Sequence, residues 1–356
     1  MELEAIGAPA HTRTLVVSLA RIAAGRVEAS GAIVDVRKRG LVPMASDLQT
    51  AGVIHDMRVR AEIALAPARI EAITVDQANV AFEPSLATGG ECCRDPGPRI
   101  AALVGTPLDG EGTRRLAAAL GGPLGCSHVL TLAQLLVSTA HTALALEGER
   151  HPGAARPDGQ RIFHRSLSID GVLGRDGLHL TLQQADIHFA PLVPRADTDP
   201  LERLAGRLEI RAQADVDLDA MVLRSLRAAE RESGRDAFYG PWRDRSAPLA
   251  DLAGRSALGG MAAALLERLG QSASDRPLLD ALRNLAPTLI QCVPAVMERW
   301  QSQPRAPRPG MMAGGGMTDS CYMWRTGGAL HRRMVGDLGA IRSVEAAGAV
   351  ERGDPA

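Results

Sequence analysis

Aromatic residues are scarce in this chain of 356 residues, at 3% of the total, so Ala, Leu and Val must build its cores. Apolar residues still make up 46%, which excludes global disorder. No apolar run approaches the roughly 20 residues of a transmembrane helix, and the acidic start lacks the apolar stretch of a signal peptide. We therefore expect a cytoplasmic protein that does not interact with membranes.

The chain also lacks an excess of charge of either sign, because its net charge is −1 and no basic stripe is visible. This balance argues against nucleic acid as a partner. Five cysteines, an odd number in a long chain, do not suggest a disulfide framework. The glycine-rich turn at residues 121–125 lacks the lysine and the spacing of a phosphate-binding loop, so we expect no nucleotide cofactor.

Polar clusters interrupt the apolar segments between residues 53 and 145. They consist of His55 with Asp56, Cys92 with Cys93, and Cys126 with His128. Thiol, imidazole and carboxylate groups bind borderline metals or perform nucleophilic and acid–base chemistry. We predict catalytic roles for His55, Asp56, Cys126 and His128. Asp56 as a turn residue and Cys126 as a buried structural thiol are the alternatives.

Hydrophobic periodicity predicts an α+β fold, with an antiparallel β-meander followed by helices. Alternation and glycine or proline punctuation indicate strands at residues 14–19, 27–36, 57–65 and 70–80. Helical spacing predicts helices at residues 100–104, 112–120 and 128–146, the last being the best defined. A helix at 128–146 would place Cys126 and His128 at its start, where the helix dipole lowers a thiol pKa.

The same order of elements begins again after a polar segment rich in glycine and proline. We therefore predict a duplication, with a site-bearing repeat at 1–148, a linker at 149–160 and a degenerate repeat at 161–301. In the second repeat, strands are expected at 178–189 and near 207–216, and helices at 256–269 and 277–300. The polar clusters are absent there, since Gly206-Arg207 stands in the place of His55-Asp56.

A tail rich in Gly, Pro and Met is predicted at residues 302–356, with a docked motif at 319–325. This motif contains Cys321, Tyr322 and Trp324. Burial of aromatic side chains contributes a large free energy, so we expect the motif to pack against the rest of the chain. We expect these three residues, with Cys92, to line a substrate pocket.

Several motifs together resemble an uncharacterised bacterial family, domain of unknown function 2889. They are Gly-Val-Ile-His-Asp-Met from residue 52, the Cys92-Cys93 pair, Leu-Val-Gly from 103, Gly-Cys-Ser-His-Val-Leu from 125 and Asp-Ser-Cys-Tyr-Met-Trp-Arg from 319. The resemblance implies no secure activity; it implies a role in aromatic or steroid catabolism.

A second and more distant resemblance is to the iron–sulfur scaffold and sulfur-acceptor fold (the IscU, NifU and SufE type). It implies that Asp56 matches a turn aspartate, Cys93 or Cys92 a loop cysteine, and Cys126 with His128 a His-Cys pair. Ile54-His55 replaces the first Cys-Gly of that pattern, which removes one thiolate. A site for zinc or iron formed by Cys93, Cys126 and His128 is still compatible with this pattern.

These observations favour an enzyme acting on a small organic molecule, of the lyase, hydratase or hydrolase type. A metal-binding or sulfur-handling accessory protein is the second hypothesis, and a non-catalytic scaffold is the third. The sequence leaves the oligomeric state open.

Overall fold

Within the part of the chain that the structure describes, one antiparallel sheet of nine strands runs through both halves. The computed structural model describes residues 7–40, 42–44, 47–192, 199–218, 220–234, 239–301 and 318–333. The predicted α+β class with antiparallel strands and following helices is confirmed.

The strands of the large sheet are mostly 12 to 16 residues long. They are β1 (Ala8–Ala23), β2 (Arg26–Arg37), β5 (Gly52–Leu65), β6 (Ala68–Asn79), β7 (Arg161–Leu173), β8 (Leu178–Phe189), β9 (Leu204–Asp217), β10 (Val222–Ser233) and β11 (Arg243–Asp244), with a separate hairpin of β3 (Val42–Met44) and β4 (Asp47–Gln49). Across the large sheet the strands lie in the order β11-β10-β9-β8-β7-β1-β2-β5-β6.

Side chains along the central strands alternate between a buried and a half-buried face. In β1 the buried positions include His11, Arg13, Leu15, Val17 and Leu19. Successive residues of a strand point to opposite faces, so one face can take an apolar core. Two polar side chains occupy this inward register at one end of β1, and they lead to the candidate site.

Among the described residues, five α-helices supply the second layer, two after the strands of the first half and three after those of the second. They are α1 (Gly110–Leu120), α2 (Ser127–Arg150), α3 (Met261–Leu269), α4 (Arg276–Leu282) and α5 (Leu285–Gln301). Helix α2 packs on β1, β2, β5 and β7, whereas α5 packs on β1, β2 and β7. The core therefore lies between this helical layer and the inward face of the sheet.

Helix α2 is long and apolar enough to cross a membrane by length and composition, contrary to the expectation that no such segment exists. Half of its apolar window is buried inside the fold, where Leu132, Leu136 and Ala140 are fully enclosed. The core helix of a folded protein passes the same test, so this finding is weak support for a membrane span.

The two halves meet at the centre of the sheet, where β1 pairs with β7 and Leu15 lies opposite Leu167. Arg13 lies opposite Asp35 in the β1–β2 pair, and Arg165 lies opposite Asp186 in the β7–β8 pair. These equivalent positions support the interpretation as a duplication. Both predicted repeats contribute to a single sheet, and their boundaries stay predictions.

Several predicted elements differ from the observed ones. Residues 97–103 form a 3-10 helix, α3 begins at Met261, and the helix expected at 277–300 is divided into α4 and α5. Strand β10 was not predicted, because its sequence alternates apolar residues with Arg and Glu irregularly. The segment predicted as a linker begins inside α2, which extends to Arg150. Of the predicted tail, only residues 318–333 belong to the described part of the chain.

Truncation of Leu136 tests the packing of α2 on the sheet. Leu136 is fully buried, so Leu136→Ala should lower the free energy of unfolding by about 2–5 kcal/mol, through lost burial and the resulting cavity. Leu266→Ala on α3 is the control, because Leu266 is 53% exposed and should cost less than about 1 kcal/mol. Urea unfolding measures both; equal losses would contradict this packing.

Candidate functional site

A fully buried carboxylate, that of Asp35 on β2, is the centre of the main polar cluster. Arg13 Nε donates to Oδ1 at 2.8 Å and Arg13 Nη2 donates to Oδ2 at 2.9 Å. His11 Nε2 lies 2.9 Å from Oδ1, and His55 Nδ1 lies 3.0 Å from Oδ2. An ionised carboxylate only accepts hydrogen bonds, so both of these imidazole nitrogens donate their protons to Asp35.

The strand register brings these groups together. Arg13, Asp35 and His55 lie opposite one another across β1, β2 and β5. All three point inward because each occupies the buried phase of its strand. A register shift lies between Asp35 and Val36 in the β2–β5 pairing, directly beside His55. The site therefore forms at the end of three neighbouring strands.

Helix α2 adds His128, its second residue, to this end of the sheet. The rings of His55 and His128 have centroids 3.7 Å apart and are tilted by 31°. His128 Nε2 lies 3.5 Å from Asp35 Oδ2 and 3.3 Å from the amide nitrogen of Gln291 on α5. The His128 side chain is 14% exposed, whereas that of His55 is 2% exposed and that of Asp35 is fully covered. Solvent thus reaches the cluster at His128.

Burial and neighbouring charges set the ionisation of the cluster. Burial tends to raise the pKa of Asp35, but the Arg13 charge and the hydrogen bonds outweigh it and hold this pKa well below its usual range. Burial lowers the pKa of His11. Burial, His55 and Arg13 together lower the pKa of His128 well below its usual value. His11 and His128 are therefore neutral at neutral pH, beside an ionised Asp35.

The second half contains a similar ion pair without the histidines. Arg165 forms a bidentate pair with Asp186, and its Nη1 also reaches Asp280 at 2.9 Å and Thr139 at 3.1 Å. Leu208 lies opposite Asp186, as His55 lies opposite Asp35. The buried Arg–Asp pair is thus common to both halves, whereas imidazoles that contact the aspartate are found only at the pair of the first half, among the described residues.

Asp56 does not join His55, and the prediction that both share one site is wrong. Adjacent residues of a strand point to opposite faces, and Asp56 lies on the face that carries Arg58 and Arg60. Its nearest charged partner is Arg58, at 3.8 Å. We assign Asp56 to the outer face of the sheet.

Cys126 stands at the N-cap of α2, as expected, but its thiol is not activated. Burial raises the pKa of Cys126 to about 11, which outweighs the hydrogen bonds from the backbone of residues 128 and 129. The pKa values of Cys92, Cys93 and Cys321 are raised as well, mainly by burial. The expected thiolate nucleophile is therefore not supported, because these thiols are protonated at neutral pH.

Cys92 and Cys93 have separate environments. The Cys92 thiol lies 3.2 Å from the Asp95 carboxylate in a closed turn, whereas Cys93 packs in a small apolar cluster with Met323 and Leu330. Within the described part of the chain, no set of three ligand atoms close enough for one metal ion includes a cysteine. The predicted metal set of Cys93, Cys126 and His128 is not assembled.

Two other sets could hold a metal among the described residues. Asp35, His55 and His128 form the first, and Glu147, His151 and His188 form the second. In each set the three ligand atoms lie within 4.8 Å of one another. Sequence reasoning missed His11, Arg13 and Asp35. Their signal is a polar residue in the inward phase of a strand that otherwise buries Leu, Val and Ile.

The motif at 319–325 docks beside the start of α2. Tyr322 donates its backbone N–H to the carbonyl of Gly125 at 2.8 Å, and Trp324 meets Phe82 edge-on with centroids 5.7 Å apart. Arg325 forms an ion pair with Glu91 of the Cys92–Cys93 loop. The motif thus covers Cys93 and adjoins Cys126. Its place as a pocket wall, with Cys92 and Cys321, stays a prediction.

One segment of the chain matches a known protein family. Residues 11–143 match the model described as "Protein of unknown function (DUF2889)". This segment belongs to the DUF2889 family. It begins at His11 and includes Arg13, Asp35, His55 and His128, so the whole cluster lies inside the DUF2889 segment. No curated protein and no solved structure matches the chain, and the resemblance to iron–sulfur scaffolds therefore has no support.

The neutral histidines predict a loss of stability in acid. Their folded-state pKa values are lowered, so the folded chain binds fewer protons than the unfolded chain below about pH 6.5. The unfolding free energy should fall as pH drops from 6.5 to 5, by at most about 1.4 kcal/mol per pH unit for each of His11 and His128. Urea unfolding across this range should show a smaller slope for His128→Gln; an unchanged slope would contradict the assignment.

The docked motif predicts which thiols are shielded. A chain ending at Pro309 should expose Cys93, which Met323 and Leu330 cover, while Cys292 in the core stays protected. Iodoacetamide labelling of the native protein, followed by peptide mass spectrometry, should show at least about tenfold faster modification of Cys93 in the shortened chain, on the scale of a local opening free energy of 1.4 kcal/mol or more. Equal labelling in both chains would show that the motif does not cover this loop.

Proposed function

We propose that this protein is an enzyme that acts on a small organic molecule by general-base chemistry at His128 and His55. The observation that carries the proposal is the contact between a neutral, partly exposed imidazole and a second imidazole anchored on a buried carboxylate. Acid–base catalysis needs a group that is unprotonated at working pH and reachable by the substrate. His128 meets both conditions.

Asp35 would determine the tautomer of His55. Since Asp35 Oδ2 accepts the proton on Nδ1, Nε2 is the ring nitrogen of His55 that is left for proton transfer. A carboxylate that orients an imidazole in this manner is a recurrent part of proton-transfer sites. His55 is nearly covered, so we assign the contact with substrate to His128 and a relay or positioning role to His55.

Ionised Asp35 is the group of the cluster that favours proton uptake by His128. A proton taken from a bound molecule gives the imidazole a positive charge beside ionised Asp35, and the low dielectric of the interior strengthens that attraction. Burial, the neighbouring His55 and the Arg13 charge oppose it and keep the resting His128 neutral. This balance suits a base that accepts a proton only during reaction.

We infer a lyase, hydratase or hydrolase, because these reactions need a base and no nucleotide. The aromatic residues of the 319–325 motif adjoin the start of α2, which fits an organic substrate with an apolar part. Aromatic-compound catabolism and a cytoplasmic location belong to this proposal as well.

A metal-binding protein is the second candidate, and one observation favours it. Asp35, His55 and His128 offer two imidazoles and one carboxylate, a set that suits zinc or ferrous iron. Arg13 already contacts both oxygens of Asp35, and its charge opposes a cation there. We therefore rank this function below the acid–base enzyme.

Proton exchange in heavy water tests the preferred function without a known substrate. Purified protein is incubated with a panel of aliphatic and aromatic carboxylic acids, ketones and esters, and proton NMR follows loss of C–H signals and hydrolysis. His128→Gln and His55→Gln should reduce the rate at least about 100-fold, the usual contribution of a positioned base. His164→Gln is the matched control, since His164 is half-buried on β7 and contacts Ser18 instead.

The same assay with a chelator separates the two candidates. Activity that persists in the chelator and is lost in His128→Gln supports the base. Activity lost with the metal supports the second candidate. No exchange with any compound, or full activity in His128→Gln, would overturn the proposed enzyme. Circular dichroism of each variant checks that the fold is retained.

A further inference from the structure

A second group of titratable side chains lies at the far end of α2, outside the DUF2889 segment. It consists of Glu147 in the last turn of α2, His151 at the C-cap, Arg156 in the connection to β7, and His188 on β8. Glu147 and His151 are four residues apart, so they lie on the same side of the helix end. The general-base proposal uses none of these residues.

Glu147 is an ionised carboxylate with two partners. Arg156 donates from Nε to Oε1 at 2.5 Å and from Nη2 to Oε2 at 2.7 Å, and His188 Nε2 lies 2.9 Å from Oε2. Burial tends to raise the pKa of Glu147, but the hydrogen bonds from His188 and Arg156 outweigh it and lower this pKa to about 2. An ionised carboxylate only accepts hydrogen bonds, so His188 donates its Nε2 proton to Glu147.

Two imidazole nitrogens in this group are buried without a hydrogen-bond partner. They are Nδ1 of His188, a residue that is 2% exposed, and Nε2 of His151. The two rings have centroids 5.3 Å apart. A buried polar atom without a partner costs free energy comparable to a lost hydrogen bond, so two such atoms on neighbouring rings indicate an occupant that they would bind.

We propose that His151, His188 and Glu147 form a binding site for a divalent metal ion of the zinc class. One ligand atom from each residue lies within 4.8 Å of the others, a span that ligand distances of about 2.0–2.2 Å can close by small side-chain movements. Imidazole nitrogen and carboxylate oxygen are ligands that zinc accepts, and a water completes a tetrahedral set.

Glu147 contributes a carboxylate oxygen as the third ligand. Its hydrogen bond with His188 Nε2 holds the two side chains together when no ion is bound. Arg156 is held by Glu147 and also by the carbonyls of Arg161 and Phe189. Its charge lowers the affinity for a cation, so we expect binding weaker than that of a four-cysteine zinc site.

A metal here would join the end of α2 to β8 across the connection at residues 151–160. Binding to the folded chain alone raises its stability by mass action. The site therefore has a readout in thermal unfolding that is independent of any catalytic activity.

Zinc titration of the full-length, tag-free protein tests the proposal after chelator treatment. Competition with a chromophoric chelator measures stoichiometry and affinity, and thermal unfolding is recorded with and without zinc. The wild type should bind zinc at this site and unfold at higher temperature when zinc is present. His151→Ala, at the less buried position, and His188→Gln should each weaken this binding at least tenfold.

Two control variants identify the site. His179→Ala changes a histidine on the same strand that contacts Asp215, and it should keep the zinc affinity and the thermal shift. His128→Gln identifies any ion bound at the Asp35 cluster instead: zinc binding and a thermal shift that are lost in this variant and kept in His151→Ala would contradict the proposal. No zinc binding by the wild type, or unchanged binding in His151→Ala and His188→Gln, would overturn the proposal.

Discussion

A carboxylate without access to water, that of Asp35, is the constraint on which the first half of the molecule depends. An unpaired buried charge costs several kcal/mol, so its partners must be in place whenever the chain is folded. Arg13 and His11 come from β1 and His55 from β5, and all of them reach Asp35 only in the observed register. A slip by one residue would turn every one of these side chains to the outer face.

Comparison of the halves separates structural from chemical roles. Both halves bury a bidentate arginine–aspartate pair between two central strands, Arg13 with Asp35 and Arg165 with Asp186. The recurrence shows that the pair itself belongs to the architecture. The pair of the second half is surrounded by Asp280 and by Thr139 of α2, which accept hydrogen bonds from Arg165, and no imidazole contacts it among the described residues. The histidines of the first half are the groups that architecture alone does not require.

The α+β class, the first four long strands and helix α2 could be predicted from periodicity, because each has a strong and uninterrupted pattern. The pairing of His55 with His128 followed from element ends that meet at one edge. The prediction for Asp56 failed because the chain continues as a strand through His55 and Asp56, so these adjacent side chains point to opposite faces. Cys126 was misjudged because burial outweighs the helix terminus. Asp35 could not be found, since a single inward aspartate has no meaning until its partners on neighbouring strands are known.

The β1–β7 pairing has a consequence for any shorter chain built on the DUF2889 segment. That segment ends at residue 143, before β7, yet β7 covers one whole edge of β1. A protein consisting of this segment alone would present β1 as a long open edge, with backbone donors and acceptors ready to recruit another chain. Because Leu15 lies opposite Leu167 at the middle of the observed pair, two identical copies could join edge to edge about Leu15.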